Sequence, residues 1–451
     1  MASAAEQLAA NINLGVLAKA TELKKRIWFT LGALIVYRIG TYIPVPGVDA
    51  AVMAELIQQH GGGILGMFDM FSGGALGRMT VFALNIMPYI SASIIVQLLT
   101  AAIPSWEQLK KEGEQGRKKL NQYTRYLTVF IATFQAWGIA IGLEQMRGAM
   151  GPAVYDPGWF FRFSCVITLV GGTMFLMWIG EQITARGVGN GISLIIFAGI
   201  VANLPSALIA TLELGRTGAL STFFIIIFLL AALVIIAGVV FIERAQRRVP
   251  VQYPKRQVGN RMFAGENTHL PLKLNTAGVI PPIFASSLLL LPATFAGLGG
   301  AEGEGFLATL SQWFAHGTPT YMLVYVSLIV FFAFFYTAVV FNPTETADNL
   351  KKYGGFIPGI RPGQHTAEYL DRVLTRLTVV GALYLAVVCL IPEILISNYS
   401  VPFYFGGTSL LIIVSVTMDT VAQVKSHLFA HKYEGLIKKA RLAGKGPMRP
   451  R

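Results

Sequence analysis

The chain has 451 residues, a mean hydropathy of +0.58, 54% hydrophobic residues and only 13% charged ones. A soluble chain would carry roughly a quarter charged residues, so a water-surrounded globular domain is excluded. The net charge of +13 could suggest nucleic acid, but where the charge sits decides that question.

Residues 1–25 hold no uninterrupted apolar core, and a cleavable leader is not expected there. From residue 26 onward, apolar runs near the roughly 20 residues needed to cross a bilayer recur at 26–43, 76–103, 124–142, 160–179, 192–212, 220–242, 276–296, 320–341, 374–392 and 403–424. Asn85 and Pro88 interrupt the second run, and Asn203 and Pro205 weaken the fifth. Such breaks are tolerated where neighbouring helices or a wet cavity satisfy the freed backbone. Ten spans place both termini on one side. Of the 36 Lys and Arg, 31 fall in the termini and the connections on that same side; the exceptions are Arg38, Arg78, Arg147, Arg162 and Arg216. By the positive-inside rule the termini are cytoplasmic, and the basic excess is a topology signal rather than a DNA-binding surface. The ten spans divide into halves of five, about 26–216 and 217–428, with a cytoplasmic N-terminus at 1–25 and a basic tail at 429–451. Five spans per half forces opposite orientations, the arrangement of inverted repeats around a central path.

The span interiors are nearly free of ionisable residues. Coupling carboxylates would mark a secondary transporter, and none is apparent. Arg38, toward the outer end of its helix, reads as a snorkelling side chain. His427 and His431 form an i,i+4 pair without the acidic partner of a zinc protease helix, in a Lys-rich tail. Cys165 and Cys389 both lie in apolar runs, which disfavours a disulfide or metal site. The glycines of Gly187-Val-Gly-Asn-Gly191 follow no strand, so they read as a flexible connector rather than a nucleotide site. No enzyme signature, cofactor or metal is expected, and energy for any transport must come from outside the chain.

Three features carry a positive signal. The first is a short apolar segment at about 62–76, containing Ile64, Leu65, Met67, Phe68, Met70 and Phe71, too short to span and flanked by glycines; it is either an interfacial helix or a mobile stopper. The second is a set of isoleucines: Ile86 with Ile90, Ile192 with Ile196, and single residues Ile283 and Ile412. Branched aliphatics at such positions can line a dry constriction, or simply pack. The third is a pair of long cytoplasmic loops, about 243–275 and 342–373, where Arg247, Arg248, Lys255, Arg256 and Arg361 alternate with Tyr253, Phe263, Tyr353 and Phe356. Arg mixed with aromatics on a projecting loop makes a docking surface.

Long stretches in order resemble the SecY family of bacterial protein-conducting channels: 71–79 (FSGGALGRM), 86–96 (IMPYISASIIV), 111–126, 180–194 (GEQITARGVGNGISL), 268–276, 341–353 (FNPTETADNLKKY), 356–364 (FIPGIRPGQ) and 401–413. The resemblance implies an all-α polytopic channel with ten transmembrane helices in two pseudo-symmetric inverted halves around a pore, in the bacterial inner membrane. It implies that 62–76 is the plug and that the six isoleucines form the pore ring. It further implies a lateral gate between the second and seventh spans, with Ser91, Ser93 and Gln97 facing Ser286 and Ser287. Arg361, supported by Lys255 and Arg256, would contact the ribosome and the motor ATPase SecA; Asn260 departs from the basic residue expected in that stretch. The implied partners are the small membrane subunits SecE and SecG, SecA, the ribosome, signal peptides with nascent polypeptides, and membrane lipids. A scaffold without a conduit, and a small-solute transporter, are the competing readings.

Overall fold

In the computed structural model, residues 20–60, 69, 72–148, 151–217, 221–254, 256–258, 261–263, 267–298, 318–399 and 407–442 are described. The candidate plug residues Ile64, Leu65, Met67, Phe68, Met70 and Phe71, and the loop residues Lys255 and Asn260, lie outside them.

The helices are α1 (Thr21–Gly40), α2 (Ala50–His60), α3 (Met87–Ala102), α4 (Pro104–Lys111), α5 (Glu114–Gln145), α6 (Trp159–Arg186), α7 (Gly191–Arg216), α8 (Thr222–Arg244), α9 (Ile280–Leu298), α10 (Pro319–Val340), α11 (Pro343–Lys352), α12 (Gln364–Tyr399) and α13 (Gly407–Leu442). The strands are β1 (Arg147–Gly148), β2 (Gly151–Pro152), β3 (Gln246–Gln252), β4 (Arg256–Val258), β5 (Arg261–Phe263) and β6 (Asn267–Lys273). Among the described residues, seven helices (α5, α6, α7, α8, α10, α12 and α13) are long and apolar enough to cross a bilayer unaided. The shorter α1, α3 and α9 complete the ten spans.

The packing repeats between halves. In the first, α3 lies on α5, α5 on α6, α6 on α7, and α1 on α7. In the second, α9 lies on α10, α10 on α12, α12 on α13, and α8 on α13. Each pair in the first list has its counterpart five spans later, so span arithmetic and packing agree on the repeat. The halves meet on one side where α3 and α5 face α9, and on the other where α7 and α1 face α13 and α7 faces α8.

Several boundaries differ from the sequence reading. The second span is helical only from Met87; residues 73–86 form turns instead. Positive φ at Gly73, Gly74, Met79 and Asn85 bars a helix there, and Pro88 then starts α3 in the first turn, where a missing N–H costs nothing. Buried irregular backbone at this depth is allowed because protein surrounds it; Ser72, Met79, Thr80, Phe82 and Asn85 are all buried. The fifth span runs unbroken through Pro205. Four helices overshoot their apolar runs: α5, α12 and α13 extend into charge-rich segments at 32, 36 and 36 residues, and α6 reaches 28. At 1.5 Å per residue, the longest reach about 54 Å, well beyond a hydrocarbon core of roughly 30 Å.

The described parts of the two long basic connections are folded, not loose. The pair β3–β6 is antiparallel in register Val249↔Leu270 and Val251↔Thr268, and β4–β5 makes a second, shorter hairpin. Asn342 caps α11, its Oδ1 accepting from the N–H groups of Thr344 and Glu345 at 3.1 and 3.4 Å, and Pro343 follows at the first helical position.

A candidate pore, side gate and cytoplasmic platform

The six isoleucines sit at or near the starts of four helices. Ile86 is the N-cap of α3 and Ile90 lies in its first turn. Ile192 and Ile196 occupy the first two turns of α7, which begins at Asn190, whose Oδ1 accepts from the Ile192 N–H at 3.1 Å. Ile283 and Ile412 take comparable places in α9 and α13. Ile86, Ile90, Ile196 and Ile412 are buried in one apolar cluster, and Ile192 and Ile283 pack against it. The structure thus brings together, from both halves, residues up to 326 positions apart in the chain. Such a cluster excludes water and hydrated ions while it is closed, and it offers a translocating chain only deformable hydrocarbon.

The C-terminal end of α1 holds the last part of the candidate plug segment, around Ser72 and Gly73. Arg38 Nη1 donates to the Gly73 carbonyl at 2.8 Å, and Tyr37 Oη donates to the Ser72 carbonyl at 3.1 Å. Asp69 accepts from the Gly77 N–H through Oδ1, while its own carbonyl accepts from the Gly74 N–H at 2.8 Å. Arg38, which its position near a helix end marked as a snorkelling side chain, is instead engaged by protein, bonding the Gly73 carbonyl and the Tyr42 hydroxyl. Its neighbours on the outer side are engaged as well. Arg78 lies 4.1 Å from the Tyr42 ring centroid, and Arg162 makes a two-pronged ion pair with Glu144 at 2.6 and 3.0 Å. Exceptions to the positive-inside pattern are here held by protein partners.

The α3–α9 seam is the candidate side gate. Ser287 Oγ donates to Met87 Sδ at 3.7 Å across it, a weak bond to a soft acceptor. Gln97 Nε2 donates to Ser93 Oγ at 3.2 Å on the same helix, and Ser286 Oγ donates to the Ile283 carbonyl at 3.0 Å. Ser91 is buried; Ser93, Gln97 and Ser286 are half-buried. Of the five gate residues expected from the sequence, Ser287 alone bonds to the opposite helix in the described structure, and its partner Met87 was not foreseen. Methionine is so common in spans that no spacing argument would have picked it out. Beyond the C-terminal end of α3, Lys110 Nζ of α4 reaches the Val339 carbonyl at the end of α10 at 3.2 Å, an exposed contact that also bridges the halves.

The platform is built jointly by both connections. The strands β3 and β6 continue into the second connection through a bridge between Gln252 and Phe356, with N–H···O distances of 2.9 and 3.0 Å. Val249, Val251 and Leu272 from the strands pack with Ile357, Leu370, Val373, Leu374 and Leu377 in a separate buried core. Gly355 admits the Tyr253 ring, which a Cβ would crowd at 2.9 Å. Arg247, Arg248 and Arg361 are exposed on this rigid base. Arg361 stands between turns at Gly359 and Gly363, both with positive φ, and its carbonyl accepts from Thr366 Oγ1 at 2.9 Å. Arg256 lies in β4, paired with Phe263. Rigid presentation of exposed guanidinium groups suits an anionic macromolecular surface.

Also unforeseen is the junction where Asn275 Nδ2 donates to Glu243 Oε1 at 2.8 Å and to the Gly278 carbonyl at 3.0 Å. It ties the end of α8 to the turn that launches α9. No local pattern links residues 32 positions apart.

Among the described residues, no group of three or more His, Cys, Asp or Glu could hold a metal ion.

Comparison with known proteins agrees with this architecture. The SecY family model matches residues 80–421. The protein translocase subunit SecY of Escherichia coli K12 is 59% identical over 428 residues, covering 94% of this chain and 96% of that one. Its counterpart from Rickettsia conorii is 56% identical over 421 residues, covering 93% and 97%. Among solved structures, a protein-conducting channel superposes with a TM-score of 0.65 at 18% identity, covering 90% of this chain and 92% of that one. Sec61 from a canine ribosome–channel complex gives 0.64 at 18% identity with the same coverage, which supports the fold. The chain belongs to the SecY family.

Proposed function

We propose that this chain is the channel-forming subunit of a protein translocase, moving unfolded polypeptides across the membrane and releasing apolar segments sideways into lipid. The observation that carries the reading is the convergence of six isoleucines from four helices of both halves on one buried apolar cluster, in a chain 59% identical to a protein translocase subunit. The isoleucines act as a gasket. At rest they close the path to ions; around a passing chain they deform. The segment at 62–76 is the stopper, and the α3–α9 seam is the exit for hydrophobic segments. Small polar and sulfur side chains there let two helices pack and part at little cost.

The chain works as a multi-pass protein of the bacterial inner membrane with both termini cytoplasmic. Ribosome or motor ATPase SecA docks on the platform through Arg361, with Arg247, Arg248, Lys255 and Arg256 in support. A solved relative is the channel of a ribosome complex, which favours the first of these partners. SecE and SecG would cover apolar helix faces such as that of α8, where Phe223, Leu230, Leu233, Val234 and Phe241 are exposed.

The direct test is site-specific crosslinking of a stalled secretory chain to cysteines placed at Ile86 or Ile412. Crosslinks from both positions, and none from cysteines on lipid-facing positions of α8, are expected. Failure of a stalled chain to reach either position would remove the conduit.

A further inference from the structure

The connector Gly187–Gly191 between α6 and α7 reads in the sequence as flexible. The structure corrects this. Its backbone donors are taken one after another by side chains from three helices and by its own Asn190. The Val188 N–H is accepted by Thr30 Oγ1 of α1 at 3.0 Å, and the Gly189 N–H by Gln423 Oε1 of α13 at 2.8 Å. The Gly191 N–H goes to Thr184 Oγ1 of α6 at 2.9 Å and the Ile192 N–H to Asn190 Oδ1 at 3.1 Å. On the acceptor side, Arg26 Nη1 donates to the Gly187 carbonyl at 3.4 Å.

Packing fixes the same segment. Val188 is 3% exposed and sits among Ala20, Leu23, Ile27, Val424 and Leu428, so α1 and α13 close on it from two sides. The glycines answer to close approach rather than flexibility. Gly189 has φ +90°, and a Cβ there would meet Leu194 Cδ1 at 2.8 Å and Thr420 Oγ1 at 3.2 Å. A Cβ at Gly191 would run into the Gly180 carbonyl of α6.

We propose that this connector is a cytoplasmic fulcrum of the channel, and that Thr30 and Gln423 are positioning residues that hold Ile192 and Ile196 in the closed waist. The inference rests on the reading of the isoleucines as that waist. Two observations give it a direction. The connector immediately precedes the turns bearing Ile192 and Ile196, so its placement sets theirs. It also ties α1 of the first half to α13 of the second, which carries Ile412. The opposite seam, α3 against α9, is spanned among the described residues by the weak Ser287–Met87 bond. When the halves separate, the weakly bonded seam parts while the connector stays fixed. Loosening the connector therefore misplaces ring residues without touching them.

The experiment uses the purified channel complex in proteoliposomes, with chloride leak as the readout and thermal stability measured in parallel. Thr30→Val and Gln423→Leu each remove one acceptor. A lost hydrogen bond of roughly 1–1.5 kcal/mol corresponds to a leak increase on the order of tenfold. Thr30→Ser and Gln423→Glu keep an oxygen acceptor and should leak like the parent. Thr417→Val, on an exposed position of α13 that bonds only within its own helix, controls for altering that helix. Gln423 is exposed, so its variants fold even if Thr30→Val does not. Parental leak in both Thr30→Val and Gln423→Leu, or an equal rise in Thr417→Val, overturns the fulcrum. If Ile412→Asn leaks while the connector variants do not, the fulcrum alone is lost; if Ile412→Asn is also tight, the waist itself falls.

Discussion

Replacing Ile412 with asparagine puts an amide where the side chain is 1% exposed and packed in the central cluster. The substitution forfeits roughly 1.5–3 kcal/mol of apolar burial. It also leaves an amide short of partners, at about 1–3 kcal/mol. Together these amount to roughly 2.5–6 kcal/mol against the closed arrangement. In an opened waist the amide meets water, so the penalty is relieved there rather than shared. The closed-to-open balance should therefore move by about two orders of magnitude or more. A comparison with Ile329→Asn isolates the cause. Ile329 of α10 is 0% exposed in the same cluster but is not one of the six candidate ring positions. Single-channel recordings in planar bilayers should show a large rise in resting open probability for Ile412→Asn. Ile329→Asn should lower thermal stability by a comparable amount with little change in conductance. Equal leak from both variants, at equal assembly, would mean that general loosening of the core opens the channel, and the waist would lose its special role.

Three other outcomes follow from the same geometry. Arg38→Gln weakens the charge-assisted bond to the Gly73 carbonyl, and should raise resting ion leak several-fold, corresponding to about 1 kcal/mol; a parental leak in patch recordings would show that the closed state does not need this bond. Met87→Cys combined with Ser287→Cys, at positions whose side chains face each other across the seam, should be joined by a short thiol-specific bifunctional reagent carrying a reducible link, which blocks insertion of hydrophobic segments until reductant is added; insertion unaffected by the crosslink, once verified, argues against an exit at this seam. Arg361→Glu, on an exposed side chain, should abolish SecA-stimulated transport without changing the melting temperature, whereas Leu370→Ala, at 0% exposure in the platform core, should cost about 2–5 kcal/mol of local stability; proteolysis of the platform separates the two, and SecA stimulation that survives Arg361→Glu would sever this arginine from docking.

The bilayer forces the clearest part of the sequence reading. Twenty-residue apolar runs, and Lys and Arg gathered on alternate connections, must become spans of one orientation because unpaired backbone and charge are expensive in hydrocarbon. The helix starts at Pro88, Asn190 and Asn342-Pro343 obey local rules too, since a cap or a fixed φ acts within a few residues, but reading by apolar runs passed over them: Pro88 counted as an interruption, 187–191 as a loose connector and 342–373 as a loop. What local rules could not decide was set by contacts between distant segments. The turns at 73–86 exist because Met79 and Asn85 are held at positive φ inside the protein, although the residues are apolar enough for a helix. Arg38 finds a protein partner because Ser72 and Gly73 come to rest beside α1. The glycines at 187–191 look loose in sequence, yet acceptors from residues 30 and 423 pin them. Isoleucine spacing suggested a helix face, but only the meeting of both halves gathers the six candidates, along with other isoleucines such as Ile195 and Ile329, into one central cluster. Periodicity reports which side of one helix is apolar; which helix stands opposite is a property of the assembled fold.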